Sequence, residues 1–69
     1  MNYKLVKELN SEIKSVQRLS DNNFIPFAPA NTDYQTFKAQ INADEAQLED
    51  ADGNLMTAEE AKAFVATLP

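Results

Sequence analysis

Residues 24–34 read Phe-Ile-Pro-Phe-Ala-Pro-Ala-Asn-Thr-Asp-Tyr (FIPFAPANTDY) and contain two of the three prolines in a chain of 69 residues. Each proline locks its own φ and pushes the residue before it, here Ile25 and Ala28, into extended geometry. A proline also lacks the N–H that a sheet ladder needs, so full pairing in a sheet is not expected here. The stretch is therefore expected to be an extended strap over 21–31, begun by the turn formers Asp21, Asn22 and Asn23. Its apolar side chains, Phe24, Ile25 and Phe27, with Tyr34 just beyond, have two readings. They fill a gap between the layers of the domain, or they contact a partner protein.

Upstream of the strap, residues 3–9 alternate, with Tyr3, Leu5 and Leu9 facing one way and Lys4, Val6 and Glu8 the other. That is the period of a half-buried strand. After the turn formers Asn10, Ser11 and Glu12 the alternation resumes, with Ile13, Ser15, Gln17 and Leu19 on one face and Lys14, Val16 and Arg18 on the other. Two such runs joined by a short loop predict an antiparallel hairpin over 1–20.

Downstream, Asn31 or Thr32 can cap a helix, and Asp33 suits its first turn. Tyr34, Phe37 and Ile41 recur at i, i+3 and i+7, which predicts a helix over 32–42 with an aromatic stripe facing the sheet. Residues 43–56 read as a loop containing an Asp52-Gly53 turn. Thr57 and Glu60 form a capping-box signature, and Ala61, Phe64, Val65 and Leu68 follow at helical spacing. A second short helix is thus expected over 57–68. The fold class is α+β: a hairpin, a proline-containing strap and two short helices packed on one face, in one domain spanning 1–69.

Composition narrows the function. A domain of this size buries only ~60% of its unfolded surface, and the chain has neither cysteine nor histidine to staple it. Association with another chain is the expected support, as a homo-oligomer or as a subunit of an assembly. The net charge of −5 is uneven: residues 1–38 carry five basic and four acidic side chains, residues 39–69 one basic and seven acidic. Nucleic-acid or anionic-membrane binding needs the opposite sign. No run approaches the ~20 apolar residues of a membrane span, and the amino-terminal residues lack a signal-peptide pattern. The expected site of synthesis is the cytoplasm.

Catalysis has little to work with. The usual imidazole bases and thiol nucleophiles are missing, and Ser11, Ser15 and Ser20 have no evident activating partner. Glu59 and Glu60 are accounted for by the first turn of a helix. A non-enzyme without a cofactor is expected. A calcium loop is the one metal reading. With Gly53 at loop position 6, Asp50, Asp52 and Glu59 fall at positions 3, 5 and 12, but position 1 is Leu48. A tight Asp-Gly turn ahead of a capped helix explains the same residues without metal.

The run Arg18–Ile41 (RLSDNNFIPFAPANTDYQTFKAQI) resembles a short module found in proteins of tailed bacteriophages, particularly the marine and cyanobacterial types. Its pattern is D-N-x-x-I-P-F-D-P-A-N-x-D-Y followed by an aromatic-bearing helix. The matching positions are Asp21, Asn22, Ile25, Pro26, Phe27, Pro29, Ala30, Asn31, Asp33, Tyr34 and Phe37. Ala28 stands where the pattern has Asp, and the helix lacks the tryptophan frequent in such modules. The resemblance implies a small protein of a phage, associated with the tail or other virion parts, and carries no activity. Host cytoplasm, with incorporation into the virion, is the implied location. Two functions follow as expectations: a structural or accessory virion component making contacts with itself or other virion proteins, or an acidic regulator that binds and inhibits a host protein.

Overall fold

The computed structural model describes residues 2–69, so the first residue of the expected 1–20 hairpin lies outside the described residues. The fold is α+β. A four-stranded sheet carries two helices on one face, in the order β1 (Asn2–Lys7), β2 (Ile13–Arg18), β3 (Asn23–Pro26), α1 (Thr32–Asn42), β4 (Gln47–Glu49) and α2 (Ala58–Ala66). Spatially the strands run β3-β2-β1-β4, with β1 and β4 parallel and the other pairs antiparallel.

The β1–β2 hairpin forms where alternation places it. Its loop is Leu9-Asn10-Ser11: the Ser11 N–H donates to the Glu8 carbonyl at 2.9 Å, and the Glu8 N–H to the Glu12 carbonyl at 2.8 Å. Ser11 has φ 67°, so the loop is a type I turn followed by a left-handed residue. Leu9 therefore occupies the turn and is exposed, not on the core face with Tyr3 and Leu5 as the alternation predicts. The face assignment of β2 is also corrected. Val6 opposes Ser15 and Lys7 opposes Ile13, leaving Lys14 as an extra residue. Such a bulge reverses the parity, so Val16 and the partly buried Ile13 both meet the core.

The strap contains a strand, which is the largest departure from the expectation. Asn23–Pro26 pairs with β2, Ile25 opposite Val16 and Phe24 opposite Gln17. Pro26 is tolerated because β3 is an edge strand and the missing N–H lies on its open side. The ladder resumes at once, with the Phe27 N–H donating to the Lys14 carbonyl at 3.0 Å. The expected 43–56 loop likewise contains β4, whose Leu48 lies opposite Tyr3 and is fully buried.

Both helices begin as predicted. Asn31, not Thr32, caps α1, its side chain accepting from the Tyr34 N–H at 3.0 Å. At α2 the capping box is complete: Thr57 Oγ1 accepts from the Glu60 N–H and Glu60 Oε1 from the Thr57 N–H. Helix α1 ends in a Schellman motif, with Glu45 N–H donating to the Gln40 carbonyl and Asp44 N–H to that of Ile41. Asp44 takes the left-handed position usually given to glycine, at φ 60°, and its carboxylate pairs with Lys62 of α2 at 2.9 Å.

The core lies between sheet and helices and contains Tyr3, Leu5, Val16, Ile25, Tyr34, Phe37, Ile41, Leu48, Ala61 and Val65. Phe37 meets Tyr3 edge-on at 4.9 Å, and the half-buried Phe27 spans Tyr34, Phe37 and Phe64 at 5.5–6.3 Å. The accessible surface of 4229 Å² is close to the ~4,300 Å² of a compact monomer of this mass. The chain closes its own core.

Candidate interaction surface

Residue pairing across the sheet defines what the helices leave uncovered. The core-facing row is Ile25–Val16–Leu5, continued by Tyr3 and Leu48. The opposite face presents Phe24–Gln17–Lys4–Glu49, one residue per strand, and beside it Pro26–Ser15–Val6. At ~4.8 Å per strand the first row spans about 14 Å. No helix covers it. Phe24, at its β3 end, is 65% exposed.

The four residues expected to make contacts are thus separated by the pleat and by burial. Ile25 and Tyr34 are core residues, 2% and 0% exposed, and have no surface to offer a partner. Phe27 is stacked among the core aromatics. Phe24 alone faces outward. Alternation read through Pro26 would have separated Phe24 from Ile25, but the proline argued against a strand.

Several of the motif residues tie elements of the fold together. Arg18, whose side chain is only 19% exposed, reaches Asp21 with Nε and Nη2 and Asp33 with Nη1 at 3.4 Å, its shortest contact being 2.7 Å to Asp21 Oδ2. Asp21 also accepts from the N–H and side-chain amide of Asn23, and Asn22 takes the left-handed conformation between them at φ 59°. The group joins β2, the β2–β3 turn and the first turn of α1. These contacts, with the Arg18 hydrogen bond foremost, hold the Asp21 carboxyl down at about 2.

The sign of the pH effect follows. The unfolded carboxyl titrates near ~3.9, so the unfolded chain takes up this proton first as pH falls. The stabilisation is complete above about pH 4 and is lost as pH falls towards about 2. The melting temperature of the wild type should exceed that of Asp21→Asn by a margin that is constant above pH 4 and shrinks towards pH 2. A margin independent of pH across that window would show that the carboxylate does not carry the interaction.

The residues of the calcium reading are not brought together. The Asp50 carboxylate accepts from the Asp52 and Asn54 N–H groups at 2.9 Å each, and this bonding, led by Asn54, lowers its pKa. Gly53 supplies the turn at φ 88°. Strand β4, not a helix, precedes the loop, and no group of three or more His, Cys, Asp or Glu among the described residues is placed to hold a metal ion.

The β4 edge is covered, and the β3 edge is blunted at Pro26. Beyond β4, the Met56 N–H donates to the Leu48 carbonyl at 2.9 Å and Leu55 bridges Glu49. On β3, Pro26 has no N–H and its carbonyl is taken by the Ala28 N–H at 2.9 Å. No helix among the described residues is long and apolar enough to cross a membrane. In comparisons with known proteins, no family model, curated sequence or solved structure matches the chain.

Proposed function

We propose that the protein is a small non-enzymatic component of a bacteriophage particle, associated with the tail or another virion part and acting through protein–protein contacts. One observation carries the reading: the outward face of the sheet is left without a layer, and the aromatic ring of Phe24 stands on it. A ring in that position gives up contact area with little ordering cost when it is covered, as interface anchors do. The polar neighbours Gln17, Lys4 and Glu49 supply a rim. The phage-like run supports the setting, although the structure gives its matching residues structural roles.

The test is mass spectrometry of purified particles carrying wild-type chain or Phe24→Ser. The wild type should be found in the particle in fixed proportion to other virion proteins, and the variant should be depleted from it. Because Phe24 is exposed, its replacement should shift folding stability by no more than about 0.5 kcal/mol. Absence of the wild type from particles would overturn the reading. It would favour the acidic regulator if one host protein were captured and then lost on neutralising Glu49 and Asp52. Asp50 is left intact in that variant, since its carboxylate holds the turn.

A further inference from the structure

Among the described residues three large hydrophobic side chains are exposed, Leu9, Phe24 and Leu55, and two of them lie on one row of the sheet. Leu55 opposes Glu49 in an antiparallel bridge, flanked by the Met56 N–H bond to the Leu48 carbonyl and the Asp50 N–H bond to the Asn54 carbonyl. Directly opposed residues share a face. The uncovered row is therefore Phe24–Gln17–Lys4–Glu49–Leu55, apolar at both ends and charged between them. We propose that this face is the contact between two copies of the chain, stacked sheet on sheet about a two-fold axis. The proposal rests on the reading of the face as a contact surface and names what covers it.

Charge and position favour a second copy. The chain carries a net charge of −5, so two copies repel one another, but this row holds one lysine and one glutamate and is neutral. Lys4 and Glu49 are neighbours in the β1–β4 register, yet neither enters an ion pair among the described residues. A two-fold axis parallel to the strands and passing between β1 and β4 sets Lys4 of each copy opposite Glu49 of the other. The pairing is reciprocal, as an isologous interface requires. The same axis lays Gln17 over Leu55 of the other copy and brings Phe24 within one strand spacing, ~4.8 Å, of that leucine. An aromatic ring covers such a diagonal. An axis running across the strands would instead set Lys4 on Lys4 and Glu49 on Glu49.

The row spans ~19 Å and β1 about 20 Å, so each copy offers about 400 Å² in projection. Sheets stack ~10 Å apart with their strands within about 30° of each other, and the helices stay on the outer sides. A face of this size lies at the low end of specific interfaces, which makes the dimer a weak one. Because the contact is two-fold, association stops at two copies.

The test is sedimentation velocity of the whole chain from about 10 µM to about 1 mM, with the fold of every variant checked by circular dichroism. The wild type should pass from monomer to dimer as concentration rises, and form nothing larger. Phe24→Ser and Leu55→Ser change exposed positions, and each should weaken the dimer at least ~10-fold. Lys4→Glu and Glu49→Lys each set like charges together across the axis and should abolish the dimer. The double variant Lys4→Glu/Glu49→Lys restores opposite charges and should dimerise again. A wild type that stays monomeric or grows beyond dimers, an unaffected Leu55→Ser, or a double variant no better than the single ones would each overturn the proposal. A monomeric chain that particles still incorporate would overturn this contact alone, and a dimeric chain absent from particles would overturn the virion reading alone.

Discussion

Phe37→Ala is expected to remove most or all of the domain's folding stability at room temperature. Phe37 is fully buried, with its ring edge-on to Tyr3 at 4.9 Å and parallel to Phe27 at 6.3 Å. It therefore links β1, the segment after β3 and α1 at one point. Emptying such a site costs about 3–5 kcal/mol, from lost transfer energy and from a cavity the neighbours cannot close. A domain of this length has in total about 3.5–10 kcal/mol to lose. The near-ultraviolet dichroism of the tyrosines should collapse, and urea should give either no sigmoidal transition or a midpoint lowered by several molar. A midpoint within about 1 M of the wild type would mean that the ring is not at the packed centre.

Leu48→Ala is the second large effect, and it tests the element hardest to see in the sequence. Leu48 lies on a three-residue strand, opposite Tyr3, and is fully buried between the sheet and the helices. Its truncation should cost about 2–5 kcal/mol. Leu55, seven residues on and 58% exposed, should tolerate alanine within about 0.5 kcal/mol. Were residues 43–56 only a loop, the two substitutions would behave alike. Urea denaturation of the pair decides between the two descriptions, and a near-neutral Leu48→Ala would remove β4 from the fold.

Several parts of the structure are legible in the sequence because they rest on short-range rules. The hairpin follows from alternation over Tyr3–Leu5 and a three-residue loop. Helix α1 follows from the spacing of Tyr34, Phe37 and Ile41, and α2 from the Thr57–Glu60 box. Other parts are not legible. Pro26 discouraged a strand, yet an edge strand spends one side of its backbone on solvent and loses nothing there to a proline. The extra residue at Lys14 inverted the face of Val16, and nothing local marks a bulge. Leu9 kept the rhythm of β1 in the sequence while the chain had already entered its turn.

The contact residues show the same division. Phe24 and Ile25 are adjacent, similarly apolar, and indistinguishable by composition. Pairing with β2 sends one to the core and the other to solvent, and that pairing is a long-range event. The Arg18–Asp21–Asp33 group is likewise spread over three elements, so its role as a clamp emerges only when they are assembled.

By itself the sequence determined the local pieces: where backbone bends, where helices start, and which periods are helical or extended. Each of those depends on neighbours within about four residues, where propensity and capping act. Only the tertiary structure decided that β4 closes the sheet beside β1, that β3 blunts its other edge, and which side of the sheet the helices cover. Those choices depend on burial of surface summed over distant residues, and no window along the chain contains it.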